Sequence, residues 1–554
     1  MFIRTALCTA ALLLCAPQAA LAFENAPDKP LGKRALDDLS FRLHATVAPY
    51  FPAEAPGGIV LVVKDGQTVL RRAYGMADTG KGVKMAPEMA MRIGSMTKQF
   101  TATAILLLAD EGKLSLQDEI TKFLPDYPTQ GKKITIEHLL THTSGIVSYT
   151  GKPGFPQRAP QDTTVAAQID TFKNDPLQFE PGSTWRYNNS GYYLLGAIIE
   201  KVSGLPYHQF LEQRIFVPLG MEHTAYEGYE RSKWPSAAGH SPAEKGFGPA
   251  RQLGKNQSYA AGELVSTVDD LAKWDAAVGR KLLKPATWQR AFTSYRLTDG
   301  KDSNYGYGWE LTLIQGEPTI GHSGSTRGYR SYGLRVPNKG IYVAVLTNSD
   351  NGTVVPDVVA RRAAAVAIGK PLPEFKEIAL DAAGLDAVAG TYTQDGTQRV
   401  LRRDGDYLAL QRPGRGPLVL KPMSPNEFFI PDTADWIVFQ REGGKVLGMT
   451  MYQDGRALVH TRTGEAPPPR IVAKISDAAF DVHVGRYEIQ PGMVLELLRD
   501  GGRYFVQPTG QRRLEIFPLS ESRFFSRDVD AEIGFDEQGM RFKQGNREMV
   551  GRKL

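Results

Sequence analysis

Cysteine is nearly missing from this chain: among 554 residues only Cys8 and Cys15 occur. Both fall in residues 1–22, "MFIRTALCTAALLLCAPQAALA", where a basic start at Arg4, an apolar run and small residues at Ala20 and Ala22 have the form of a secretory leader cleaved after Ala22. The mature chain is then expected to hold no cysteine, which excludes disulfides, thiol nucleophiles and cysteine-ligated metals together. A lipid anchor at Cys15 is the weaker reading, since Leu14 stands where a small residue belongs.

Other absences narrow the field. No run of about 18 or more apolar residues follows the leader, so stable membrane insertion is not expected and the protein is placed in the periplasm or outside the cell. The net charge of +6 is spread over 60.9 kDa with no basic block interleaved with aromatics, which argues against a nucleic-acid partner. There is no G-x-S-x-G elbow and no H-E-x-x-H. "EHLLTHTSG" does set His138 and His142 four residues apart, as a metal pair requires, but no third ligand accompanies them and a structural turn is the preferred reading. No metal or organic cofactor is expected, and the oligomeric state cannot be read.

The chain is too long for one core, and about three domains are expected. "GGIVLVVKDGQTVLRRAYG", residues 57–75, reads as two β-branched strands turning at Asp65-Gly66. Helical patterns follow in "QFTATAILLLADEGKL" and in "GYYLLGAIIEKVSG", the latter with Gly204 placed as a C-terminal cap. Strands return near "YGYGWELTLI", "YRSYGLRVP" and "GIYVAVLTN", then a helix in "VVPDVVARRAAAVAIG". This order predicts an α+β domain over residues 23–372 whose two chain ends share one antiparallel sheet.

Beyond "GKPLPEF" the texture becomes short alternating segments, and it is duplicated. "LDAVAGTYT" resembles "FDVHVGRYE" with Gly390 and Gly485 95 residues apart, "LKPMSPNEFF" matches "IFPLSESRFF", and Phe439 falls at Phe535. Two small antiparallel barrels or sandwiches are expected over residues 376–464 and 471–554, joined by the proline-rich "GEAPPPR". They serve either as a binding module or as a brace.

Three short motifs carry chemistry. "RIGSMTKQF" puts Ser95 and Lys98 on one helix face, near an N-terminus whose amides and dipole favour a developing oxyanion. Tyr187-Asn188-Asn189, a Y-x-N, lies 92 residues on, directly before a helix, and His322-Ser323-Gly324, an H-x-G, follows after a further 135. Each alone is ordinary: a serine cap with a solvated lysine, a packing tyrosine with a cap asparagine, a structural histidine. The ordered set is far more specific than its members, and an amine beside a serine is a recognised way of activating a hydroxyl without a Ser-His-Asp set.

With these motifs, and with "ITIEHLLTHTSGI" and "FEPGSTWRYNNSGYYLLG", residues 35 to 370 resemble the serine penicillin-recognising superfamily. The likeness is to its class C β-lactamase-like branch of DD-peptidases, esterases and D-aminopeptidases. It implies a β-lactamase/transpeptidase-like domain and a serine hydrolase working through an acyl-enzyme. The trailing β units are similar in layout to D-aminopeptidase. By the resemblance Ser95 is the nucleophile, Lys98 its activating partner, and Tyr187 the general base and later the acid. Asn189 holds the substrate amide or Lys98, and the oxyanion hole uses the backbone amides of Ser95 and Ser325, past Gly324. Lys98 and His322 are expected to draw the Tyr187 phenol toward neutrality. "HSG" stands where β-lactamases carry K-T-G; a histidine is a poorer anchor for a carboxylate, which shifts weight to esters and D-configured amides. Arg327 or Arg330 is the alternative carboxylate contact. A β-lactamase or DD-carboxypeptidase, and a slow covalent sensor of cell-wall peptides, remain the competing readings.

Overall fold

The computed structural model describes residues 31–554 apart from 153, 228–233, 244–245, 351–353, 406, 413–414, 491–492, 510–512, 528, 530, 538 and 545–546, so the expected leader and its cleavage site lie outside the described residues. Asp65 (φ 49°) and Gly66 (φ 77°) both adopt the left-handed backbone that a tight hairpin needs. They join β1 (Gly58–Lys64) to β2 (Gln67–Tyr74). Four strands from far along the chain complete the sheet: β3 (Glu310–Ile314), β4 (Glu317–Thr326), β5 (Tyr329–Val336) and β6 (Ile341–Thr347). Their order is β3-β4-β5-β6-β1-β2, every neighbour antiparallel, with Gly58 opposite Thr347 where the two chain ends meet.

Helices cover this sheet. α5 (Pro356–Ile368) packs on β5 and β6, and α1 (Lys33–Val47) packs on α5 and β2, while α4 (Val268–Ala277) lies against β6 and β1. α2 (Thr97–Asp110) is buried at every position from Thr97 to Leu108, as expected of a helix apolar on all sides at the centre of a domain. It packs against α3 (Asn189–Ser203), which Asn188 starts by accepting a hydrogen bond from the Gly191 amide at 2.8 Å and Gly204 ends at φ 74°. The sequence pattern leaves out a small sheet of Met91–Arg92, Leu264–Ser266 and Ala225–Tyr226, strands too short to show alternation. No helix among the described residues is long and apolar enough to cross a membrane.

The chain forms two compact units, the first ending at Pro371 and the second spanning Leu372–Leu554. The second holds two closed antiparallel barrels of eight strands each. The duplication is visible in matched contacts: Tyr392 donates its hydroxyl to the Val388 carbonyl (2.7 Å) and Tyr487 to that of His483 (2.9 Å). Arg403 pairs with Asp386 as Arg499 does with Asp481, and Phe439 and Phe535 each donate their amide to a turn carbonyl at 2.8 Å. Each barrel has its own apolar core, around Leu410 and Met449 in one and Leu497 and Phe524 in the other.

Asn348, just past β6 and wholly buried, ties the hairpin end to the returning strand. Its Oδ1 accepts from the Gly57 amide at 2.7 Å, and its Nδ2 donates to the carbonyls of Met76, Ala77 and Ala238 at 3.2, 3.0 and 2.8 Å. Truncation removes four buried side-chain hydrogen bonds, each contributing about 0.5–1.5 kcal/mol, although the Gly57 amide and the Met76 and Ala77 carbonyls keep backbone partners. Asn348→Ala is therefore expected to lower unfolding free energy by about 3 kcal/mol or more, read as a lower urea midpoint at unchanged slope.

Candidate active site

Ser95 sits in a 3-10 turn, Gly94–Met96, that runs directly into α2. The turn can press against β4 because two residues lack a Cβ. Gly94 has φ 51°, and a Cβ there falls 2.8 Å from the Ser325 amide nitrogen; one on Gly324 falls 2.0 Å from the Ile93 carbonyl oxygen and 2.2 Å from Ser331 Oγ. The glycine of the H-x-G motif is thus a steric requirement for bringing the Ser95 turn and the Ser325 backbone together.

Lys98, one turn along, has no solvent exposure. Its Nζ lies 2.9 Å from Asn189 Oδ1, 2.8 Å from the Ala261 carbonyl oxygen and 3.0 Å from Ser95 Oγ. The first two oxygens can only accept, so they take two N–H bonds whatever the charge of the amine. The third direction points at Ser95, where an ammonium donates and a neutral amine accepts. Burial pushes Lys98 well below its usual 10.5, against a raising influence from Glu310.

Tyr187, in the loop before α3, has the Ser95 hydroxyl as a polar neighbour that favours its phenolate. The Lys98 nitrogen lies over its ring, 4.8 Å from the centroid. The expectation that cationic neighbours bring this phenol toward neutrality is corrected here. Burial dominates and pushes its pKa upward; the Ser95 hydroxyl lowers it and Glu310 raises it further. An enclosed site disfavours charge on every member, so the lysine leans to its amine and the tyrosine to its phenol.

His322 on β4 is also wholly buried. Its Nδ1 is 2.6 Å from the Ser323 carbonyl, which only accepts, so that nitrogen carries the proton and Nε2 accepts from the Tyr305 hydroxyl at 2.7 Å. Burial lowers its pKa below the ordinary 6.5, with Glu310 pulling the other way. Glu310 on β3 stands 3.9 Å from His322 Nδ1 and accepts from Ser323 Oγ at 3.0 Å.

The fold therefore gathers Ser95, Lys98, Tyr187, Asn189 and His322, with Gly324 and Ser325 forming the adjoining wall. Arg327 turns elsewhere, donating to the Pro156 carbonyl at 3.0 Å. His138 and His142 do not act as a pair: His138 Nδ1 accepts from the Thr135 amide at 3.3 Å and His142 Nδ1 from the Asn188 amide at 3.1 Å. No cluster of three metal-ligating side chains occurs among the described residues. Sequence reasoning missed Tyr305, Glu310 and the Ala261 carbonyl. Glu310 left a trace, a charge inside the strand text "YGYGWELTLI"; a backbone carbonyl leaves none.

A family model described as "Beta-lactamase" matches residues 46–368. Penicillin-binding protein 4* of Bacillus subtilis (strain 168) is 28% identical over 439 residues, 73% of this chain and 95% of its own length. D-aminopeptidase of Gluconobacter oxydans (strain 621H) is 29% identical over 347 residues, 60% of this chain and 63% of that protein, so the chain spans less than two thirds of that relative. Among solved structures, the octameric penicillin-binding protein homologue from Pyrococcus abyssi superposes with a TM-score of 0.56 at 28% identity, covering 76% of this chain and 99% of that one.

The steric argument for Gly324 yields a contrast between neighbours. Gly324→Ala is expected to lose about 1–3 kcal/mol of stability by overpacking against Ile93, whereas Ser323→Ala, on the exposed side of the strand, stays within about 0.5 kcal/mol. Thermal melts of both variants beside the parent read the difference.

Proposed function

The chain belongs to the β-lactamase family, a superfamily of serine hydrolases, and on that footing we propose that it is an exported hydrolase working through an acyl-enzyme on D-amino-acid amides, peptides or esters. One observation carries the reading: the Ser95 hydroxyl is contacted by the Lys98 amine and the Tyr187 phenol in a site that disfavours charge on both. Lys98, rather than the Tyr187 that the resemblance gives as base, takes the Ser95 proton as Oγ bonds to the substrate carbonyl carbon, because burial favours the amine and disfavours the phenolate. Tyr187 gives its proton to the departing nitrogen or oxygen as that bond breaks. The resulting ammonium and phenolate are neutralised by proton return, and water repeats the sequence to release the acid. Backbone amides of Ser95 and Ser325 stabilise the oxyanion.

The charge pattern favours the substrate class. The position that holds a lysine in β-lactamases is here a histidine kept neutral by burial, with the Glu310 carboxylate 3.9 Å away. Such a wall is a weak anchor for a substrate carboxylate and an attractive one for an ammonium, as in an unblocked amino-acid amide. The resemblance to a D-aminopeptidase agrees with this. A second reading draws on Penicillin-binding protein 4*: covalent capture with slow release. A long-lived acyl-enzyme by mass spectrometry distinguishes it.

Steady-state assays with D-alanine and L-alanine p-nitroanilides, a p-nitrophenyl ester and a chromogenic cephalosporin test the proposal. The D-anilide or the ester is expected to lead, and Ser95→Ala to lose on the order of 10⁴-fold in kcat; equal activity in the variant sinks the mechanism. The rate of the parent is expected to rise with pH as Lys98 loses its proton, with an inflection displaced downward from lysine's ordinary 10.5. An inflection at or above that value contradicts the amine as base. Amino-terminal sequencing of exported protein is expected to begin at Phe23.

A further inference from the structure

One side chain in this cluster is left incompletely partnered. His142 follows the helix Ile136–Leu140 in the turn "THTSG", is 1% exposed, and adopts φ 61°, a left-handed backbone unusual for a residue other than glycine or asparagine. Its carbonyl accepts from the Arg186 amide at 3.0 Å, and its Nδ1 accepts from the Asn188 amide at 3.1 Å. These two donors flank Tyr187. The His142 ring also packs on the Tyr187 ring, with centroids 4.5 Å apart, and against Tyr305 and Tyr192 at 4.7 and 5.1 Å.

Because Nδ1 accepts, the proton of a neutral imidazole is on Nε2, and that nitrogen has no hydrogen-bond partner among the described residues. Burial, Lys98 and His322 all hold the ring below its usual pKa of 6.5, which preserves the lone pair that Asn188 needs. A buried orphan donor and a left-handed turn are both unfavourable in themselves. What they obtain in exchange is local: the backbone on both sides of Tyr187 and one face of its ring are fixed by a single residue.

We propose that His142 is a positioning residue for Tyr187, holding the phenol against Ser95 through its carbonyl, its Nδ1 and its ring. This rests on the reading of Tyr187 given above. The requirement is for an acceptor at the Nδ1 place, which an asparagine side chain can supply while tolerating the same backbone; a leucine keeps bulk without the acceptor, and a glutamine carries its amide too far out, near the Nε2 place.

The test uses the full mature chain and the best substrate of the four. His142→Leu is expected to lower kcat roughly 30- to 100-fold with KM within about 2-fold, as misplacement of a reacting group does. His142→Asn restores kcat to within about 5-fold of the parent, and His142→Gln does not. In a Tyr187→Phe background, His142→Leu adds less than about 2-fold further loss, because the two act as one unit. Should the leucine variant fail to fold by circular dichroism, the Asn-to-Gln contrast and its disappearance in the Tyr187→Phe background decide alone. Equal losses in Asn and Gln variants, or a full multiplicative loss on top of Tyr187→Phe, overturn the inference. If Tyr187→Phe is inactive while His142→Leu is fully active, only this inference falls; if Tyr187→Phe is as active as the parent, the reading of Tyr187 falls and takes this one with it.

Discussion

The burial of the Lys98 amine governs the centre of the first unit. A charged ammonium removed from water costs several kcal/mol even when paired, and the groups bonded to Lys98 are two carbonyl oxygens and a hydroxyl, with no carboxylate in direct contact among the described residues. The enclosure that depresses lysine also pushes the Tyr187 phenol up and the His322 and His142 imidazoles down, each toward its uncharged form. A set of neutral donors and acceptors results, in which each proton position follows from which neighbour can only accept. Charge then arises only during reaction, where fixed dipoles are most effective.

That logic explains what could and could not be read from the sequence. Ser95, Lys98, Tyr187, Asn189 and His322 are legible as an ordered set, carried by elements that can each be read locally: a turn into α2, a cap before α3, and the strand β4 between two turns. The hairpin at Asp65-Gly66, the Gly204 cap and the repeated barrel texture are legible for the same reason, since they depend on near neighbours. The direction of the Tyr187 shift was misjudged because neighbouring residue types suggest cations while only the fold sets how much water remains. Ala261 contributes through its backbone and Tyr305 looks like any core aromatic. Glu310 is ambiguous in a strand whose partner is not yet known.

The second unit shows how a duplication keeps what matters mechanically. The paired tyrosine-to-carbonyl bonds at Tyr392 and Tyr487 and the paired arginine clamps at Arg403 and Arg499 fix the entry of each chain into its barrel. Closure leaves no sheet edge to manage.

The pairing of Gly58 with Thr347 also has a temporal side. On a ribosome adding about 5–20 residues per second, β1 emerges many seconds before its partner β6 exists. Until then its run of valine and isoleucine has β2 on one side and an open, apolar edge on the other, the kind of edge that invites pairing with foreign strands. Closure of the sheet at this pair therefore waits until Ile341–Thr347 has been made.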